Sequence, residues 1–153
     1  MHALELKIPP PVVALLSAAA MWFVSTITPT LDVPFAARIG TALLIALIGG
    51  TFDVGGLIFF LRAKTTVNPL QPARTSALVT SGIYRITRNP MYVGMLLILI
   101  GWAVFLAAPW ALAGPLLFFA WIGRFQIAPE ERVLAGLFGE VYAAYRRRVR
   151  RWL

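Results

Sequence analysis

The chain has 153 residues, of which 59% are hydrophobic and only 13% are charged. A soluble domain of this length needs far more polar surface, so the composition excludes an ordinary soluble protein and predicts one integral membrane domain over 1–153. The net charge of +8 suits contact with an anionic membrane leaflet, and the lack of a basic surface interleaved with aromatic residues argues against a nucleic-acid partner. Because the chain has no cysteine, disulfides, thiolate metal sites and a cysteine nucleophile are excluded.

Four apolar runs predict an all-α membrane protein with four transmembrane helices, because about 20 helical residues cross the hydrocarbon core. The runs cover 11–27, 35–61, 91–108 and 110–127. Only a short uncharged turn at 107–109 separates the last two, which predicts an antiparallel hairpin whose open end carries the flanking polar segments.

The second run contains one acidic residue, Asp53, and several glycines. The glycines predict close approach of a neighbouring helix. An ionisable residue inside a span is a functional hypothesis, and the alternative is that Asp53 bonds to a neighbouring helix or lies near the cytoplasmic end.

The distribution of basic residues predicts the orientation in the membrane. If four helices span, all of the 14 Lys and Arg residues except Arg38 lie on one side. That side is expected to be cytoplasmic, with both termini there, in a bacterial or archaeal inner membrane. The basic run 146–151 is interpreted as an anchor beside the membrane.

The sequence after Pro129 predicts an amphipathic cytoplasmic helix that lies on the membrane or caps the bundle. Its apolar stripe consists of Glu130, Leu134, Leu137, Phe138, Val141, Tyr145 and Val149. Gly139 is expected to bend this helix, and Glu130, at the start of the stripe, is expected to point towards the bundle.

The segment 78–94 places polar residues at the start of the third helix. Asn89 and Pro90 predict its N-cap and first helical residue, and a helix start also attracts anions. Arg88 is either a basic anchor or a ligand group, and Tyr84 and Tyr92 are either interfacial aromatics or walls of a pocket. The only histidine lies at the terminus, so no metal set is expected. These features suit transfer of a group that is already activated on a cofactor.

Two strings carry a family resemblance. LVTSGIYRITRNPMYVG at 78–94, followed by EERVLAGLFGEVYAAYRRRVRRWL at 130–153, resembles the isoprenylcysteine carboxyl methyltransferase family, small membrane enzymes related to phospholipid methyltransferases. The resemblance covers roughly 65–153, so residues 1–61 are expected to add two helices and 62–153 to form the catalytic part.

The resemblance implies S-adenosylmethionine as the methyl donor, in a cytoplasm-facing pocket between the hairpin and the C-terminal helix. The positions that match its cofactor-binding residues are Ala77, Leu78, Val79, Tyr84, Asn89, Pro90, Met91, Tyr92 and Glu130. The motif positions interpreted mainly as structural are Glu131, Phe138, Gly139, Tyr142 and Tyr145. Asn89 stands where many family members have histidine.

The implied acceptor is a lipophilic molecule or lipid-tailed substrate in the membrane, most simply a carboxylate that Arg88 or Arg124 orients. A substrate-binding arginine of eukaryotic relatives aligns with Gln126, and Arg124 is nearby, so both are predicted substrate-binding residues. A lipid amine as acceptor would instead need a base, for which Glu131 is the candidate. A membrane reductase of related architecture and a non-enzymatic scaffold are the remaining alternatives, and the oligomeric state stays open.

Overall fold

The computed structural model describes residues 4–63, 72–74 and 77–153, and this part of the chain is helical and contains no strand. Five α-helices follow one another: α1 (Pro10–Ile27), α2 (Phe35–Arg62), α3 (Pro90–Leu106), α4 (Ala113–Trp121) and α5 (Ala128–Arg148). Short 3-10 turns cover Pro72–Arg74, Gly82–Arg85 and Pro109–Leu112, and a π-helical segment, Ile122–Ile127, joins α4 to α5. The polar, proline-containing sequence at 63–81 predicts an ordered surface connector, and most of that segment lies outside the described residues.

Three helical stretches are long and apolar enough to cross a membrane, within the described residues. They are Pro10–Ile27, Phe35–Arg62 and the continuous stretch Pro109–Arg148. The remaining apolar helix, Pro90–Leu106, has 17 residues and so lies at the lower limit for a span. The predicted all-helical fold is therefore confirmed for the described residues, and three stretches, against the four predicted, satisfy the criteria for spanning.

The most extensive helix contact among the described residues is that of α2 with α3, and glycines contribute to it. A Cβ added at Gly49 would lie 2.8 Å from the Gly94 carbonyl oxygen of α3, and one at Gly56 would lie 2.8 Å from Cγ of Met91. Gly94 in turn faces the carboxyl group of Asp53. The predicted close approach is confirmed, because only a hydrogen atom fits between Gly49 and the α3 backbone and between Gly56 and the Met91 side chain.

Adjacent glycines of α2 provide a matched test of this contact. Gly49→Ala is expected to lower stability by about 1–3 kcal/mol, because the added methyl group must push α3 away. Gly50→Ala meets nothing within 4 Å among the described residues and should be neutral or slightly stabilising, since alanine favours the helix. Thermal unfolding of both variants in detergent measures the difference, and equal unfolding temperatures would contradict the packing described.

The far end of the bundle closes around the turn between α3 and the next helical segment. Ala107 has a left-handed backbone with φ 51°, and its carbonyl oxygen accepts a hydrogen bond from Leu31 N at 2.7 Å. Arg38 donates from Nε to the Phe105 carbonyl oxygen at 2.8 Å and lies over the Phe105 ring. The basic residue predicted to lie opposite the others therefore binds an open carbonyl at the C-terminal end of α3.

Pro129 does not interrupt the helix that leads from α4 into α5. Proline has no N–H for the carbonyl four residues earlier, which here belongs to Phe125. That carbonyl oxygen accepts instead from Leu6 N at 3.1 Å, and the preceding turn widens into the π-helical segment. The expectation of a separate helix after Pro129 is corrected: the chain continues as one helical stretch, with the N-terminal segment attached at the proline.

The predicted apolar stripe of α5 is partly buried in the protein and partly exposed on its surface. Tyr145 is buried, whereas Leu137 and Val141 are exposed. Gly139 has φ 49° and ψ −124°, so the helix bends there, as predicted, and the helical register shifts. After the bend the buried aromatic residues are Tyr142 and Tyr145, and the apolar residues facing outward offer a surface for lipid.

Candidate active site

A cavity lies at the end of the bundle where α2 ends and α3 begins. It gathers all nine predicted cofactor-binding residues and both predicted catalytic residues, Arg88 and Glu131. The walls come from the segment 77–92, from α5 and from single residues of two other elements. The start of α3 and the C-terminal helix α5 therefore meet at this cavity, whereas no described residue of α4 lines it.

Glu130 is the carboxylate of this cavity. Its Oε1 accepts hydrogen bonds from the Tyr92 hydroxyl at 2.8 Å and from Gln126 Nε2 at 2.7 Å. The Gln126 bond joins residues four apart along the helical stretch, and the Tyr92 bond crosses from α3. Two fixed donors on one oxygen hold the carboxylate in a single orientation against the cavity, as a binding carboxylate requires.

Glu131 points to the other side of the same turn and forms an ion-pair network. It pairs with Arg88 at 2.9 Å, and both side chains are only 9% exposed. Arg151 grips the same carboxylate with two bonds, from Nε at 3.1 Å and from its terminal nitrogen at 2.6 Å. These bonds raise the pKa of Arg151 above its usual value. One carboxylate between two guanidinium groups leaves one positive charge beside the cavity.

The C-terminal tail is hydrogen-bonded to the segment that leads into α3. Arg88 N donates to the Arg150 carbonyl oxygen at 3.0 Å, and Thr87 pairs with Arg150 in a parallel bridge. The Asn89 side chain donates from Nδ2 to the Arg151 carbonyl oxygen at 2.8 Å. The basic run predicted as a membrane anchor thus includes two residues that hold the cavity wall.

Asn89 occupies the predicted N-cap position without acting as a side-chain cap. Its amide makes no capping hydrogen bond within the described helix start, because it is used on the C-terminal tail. Pro90 is the first helical residue, as predicted. The amides of Tyr92 and Val93 both donate to the Asn89 carbonyl oxygen at 3.1 Å, so these two N–H groups are not available to an anion.

Two polar atoms of the cavity residues are buried without a hydrogen-bond partner among the described residues. They are the Tyr84 hydroxyl and Nε of Arg88. The Tyr84 backbone is fixed by the Tyr145 hydroxyl, which donates to its carbonyl oxygen at 2.6 Å, and burial raises the pKa of the Tyr84 phenol. Unpaired buried polar atoms cost about 1–3 kcal/mol each, so a bound polar group that reaches these two atoms would stabilise the site.

The two predicted substrate-binding residues are separated. Gln126 is buried behind the cavity and bonds to Glu130, so it orients that carboxylate. Arg124 lies outside the cavity lining, where it contacts Glu5 at 3.4 Å and the ring of Phe125. Direct contact of either residue with an acceptor remains a prediction.

Sequence patterns missed several residues of the site. Phe60, Pro72 and Leu134 also line the cavity, and Arg151 supports it from the tail. Leu134 belongs to the predicted apolar stripe of the C-terminal helix, which is the signal that identifies it. The sequence contains no comparable local signal for Phe60 or Arg151, because each reaches the site from a distant part of the chain.

Comparisons with known proteins give one family and one relative. A family model described as phospholipid methyltransferase matches residues 37–141, more than half of the chain. A protein of Haemophilus influenzae described as an uncharacterized protein is 44% identical over 63 residues, which is its whole length and 41% of this chain. The family match runs from α2 into α5 and includes the lining residues of the cavity up to Leu134, whereas Tyr142 and Tyr145 lie beyond it.

Proposed function

Because the chain belongs to the phospholipid methyltransferase family, within the isoprenylcysteine carboxyl methyltransferase-like group, we propose that it transfers a methyl group from S-adenosylmethionine to a lipophilic acceptor in the membrane. The family supports a membrane methyltransferase, and the apolar helices support an integral membrane protein. The donor, the acceptor and the role of each residue are the parts that we propose.

The observation that carries this proposal is the cavity at the start of α3, with its oriented carboxylate and two unpaired polar atoms. When bound, S-adenosylmethionine supplies a methyl group activated on a sulfonium, and it also carries an ammonium, a carboxylate and ribose hydroxyls. Glu130 fits an N–H or O–H donor of that molecule. The Tyr84 hydroxyl and Arg88 Nε fit its acceptor atoms, and the remaining walls are mainly apolar. The donor set therefore fits the cofactor.

A carboxylate is our first proposal for the acceptor. It is ionised at neutral pH, so the protein needs only to exclude water and align it, which a cavity at the end of apolar helices suits. A lipid amine is the second proposal, supported by the description of the matching family. Glu131 fits the role of base poorly, because Arg88 and Arg151 hold its oxygens and one of them would have to leave.

We further propose four spans, with both termini and α5 on the cytoplasmic side. The N-terminal segment contacts Phe125, and the C-terminal tail contacts Asn89, so both tails lie at the cavity end of the bundle. The concentration of basic residues at this end supports the cytoplasmic side. The exposed Leu137 and Val141 support contact of α5 with the membrane surface.

The test combines purified protein, methyl-labelled S-adenosylmethionine and a lipid extract. Label that base releases as methanol indicates an ester and hence a carboxylate acceptor, whereas label that is stable to base indicates an amine. The cofactor is also titrated without lipid. A folded protein that binds no S-adenosylmethionine would overturn the proposal as a whole.

Tyr84→Phe is expected to weaken cofactor binding without weakening the fold. The hydroxyl has no partner among the described residues, so its removal leaves no broken bond in the protein. Loss of one neutral hydrogen bond to the ligand corresponds to about 1 kcal/mol, or roughly a fivefold weaker affinity. Equilibrium binding and thermal unfolding are measured together.

Tyr145→Phe is the comparison, because its hydroxyl bonds to the Tyr84 backbone and its loss should lower the unfolding temperature. The assignment of Tyr84 fails if Tyr84→Phe lowers the unfolding temperature and leaves the affinity unchanged.

A further inference from the structure

A second cavity runs between α1 and α4, and its described lining shares no residue with the candidate active site. Its lining is apolar apart from Ser17, and it extends from Ile8 and Trp121 at the active-site end to Trp110 at the other. From Trp110 to Trp121 the helical path is roughly 18 Å, more than half the ~30 Å thickness of the hydrocarbon core. This α1–α4 groove is therefore long enough for an acyl chain from one leaflet.

A cluster of charged residues lies at the Ile8 end of the groove. Glu5, three residues before Ile8, pairs with Arg132 at 2.6 Å and with Arg124 at 3.4 Å. The two arginine side chains remain 55% and 48% exposed, whereas the Glu5 side chain is 2% exposed. Lys7 is also exposed. The basic cluster, Lys7, Arg124 and Arg132, thus has one buried carboxylate among three positive charges.

Aromatic contacts tie this basic cluster to the groove. The guanidinium of Arg124 lies over the Phe125 ring, and that ring lies 4.5 Å from the ring of Trp121, which lines the groove. On the other side, Leu6 N bonds to the Phe125 carbonyl oxygen. The basic cluster and the α1–α4 groove are therefore neighbouring parts of one surface.

We propose that the α1–α4 groove and the basic cluster bind one phospholipid with an anionic head group. Its acyl chain lies in the groove, and its phosphate lies beside Arg124 and Arg132, whose guanidinium groups match phosphate oxygens in geometry. The excess positive charge selects an anionic lipid over a zwitterionic one. The site is separate from methyl transfer, and the proposal does not rest on that activity.

The test uses the tryptophans that line the groove. The full-length protein is reconstituted in phosphatidylcholine bilayers, and quenching of its fluorescence by brominated phosphatidylglycerol is compared with quenching by brominated phosphatidylcholine. The fluorescence that comes from the groove is the part of the tryptophan emission that is lost in the double variant Trp110→Phe/Trp121→Phe. We expect phosphatidylglycerol to quench this part at a roughly 30-fold lower mole fraction, as two arginines near a membrane surface predict.

Charge variants separate a specific site from general attraction to an anionic membrane. Arg124→Gln/Arg132→Gln should abolish the preference, whereas Arg85→Gln/Arg148→Gln, which removes the same charge from two exposed residues elsewhere, should retain it. Glu5→Gln removes the carboxylate but keeps both arginines, so it should retain or increase the preference. It therefore tests the site independently if Arg124→Gln/Arg132→Gln fails to fold. Ser17→Phe should reduce quenching by both lipids because it fills the groove.

The proposal is overturned if both arginine pairs reduce the preference equally, if Glu5→Gln abolishes it, or if Ser17→Phe leaves the quenching unchanged. It is also overturned if the unaltered protein shows no preference for phosphatidylglycerol.

Discussion

Glu130→Gln is expected to weaken S-adenosylmethionine binding strongly while the protein still folds. Glu130→Gln keeps the shape of the side chain and removes its charge, so a charge-assisted hydrogen bond to the ligand is lost, worth about 1.5–3 kcal/mol. The expected affinity is roughly 10- to 100-fold lower. Equilibrium binding of labelled cofactor in detergent measures this, with thermal unfolding followed in parallel.

Glu130→Ala should abolish binding but also lower stability. Alanine leaves the Tyr92 hydroxyl and the Gln126 amide without their acceptor, at about 1–3 kcal/mol for each buried group. The glutamine variant is therefore the more informative one. Glu140→Gln is the control on the same helix, because that side chain is 80% exposed and pairs with Arg147. Unchanged cofactor affinity in Glu130→Gln would refute the role assigned to Glu130.

Helix positions were predictable because apolar runs and their breaks are local properties of the chain. The predicted starts at 11, 35 and 91 lie within one residue of Pro10, Phe35 and Pro90. The meeting of Glu130 with Tyr92 was also predictable, because a two- or three-residue turn forces α3 and the following helix to run side by side. The predicted cofactor residues share one cavity for the same reason.

Contacts between distant parts of the chain could not be predicted in this way. The π-helical segment depends on an N–H group from Leu6 to satisfy the Phe125 carbonyl oxygen, and no local pattern indicates that partner. Asn89 was predicted as a capping residue from its position, but its amide binds the Arg151 carbonyl oxygen. Arg124 was predicted to bind the substrate, which stays a prediction, and its contact with Glu5 had no signal in the sequence because the two residues are far apart along the chain.

The C-terminal tail therefore makes its own prediction: removing Arg150–Leu153 should abolish cofactor binding and lower stability. The deletion removes the backbone partners of Arg88 and Asn89 and the two bonds that Arg151 makes to Glu131. It also removes Trp152, which packs on Phe119 with 4.6 Å between ring centroids. Because the deletion affects the fold as well as the site, single substitutions must separate the two effects.

Arg151→Gln isolates the side-chain contribution. The backbone of the tail stays in place, but Arg88 then pairs alone with Glu131, and the wall of the cavity loses its two-bond support. We expect roughly tenfold weaker cofactor binding, from the loss of about 1.5 kcal/mol of charge-assisted bonding, and only partial recovery in Arg151→Lys, since lysine cannot form the paired bonds.

Arg150→Gln is the adjacent control, because the structure uses the backbone of Arg150 to hold Arg88 while its exposed side chain makes no ion pair among the described residues. Equal losses of affinity in Arg150→Gln and Arg151→Gln would mean that the tail acts through its charge at the membrane surface. A loss confined to Arg151 would mean that its side chain supports the cofactor pocket through Glu131.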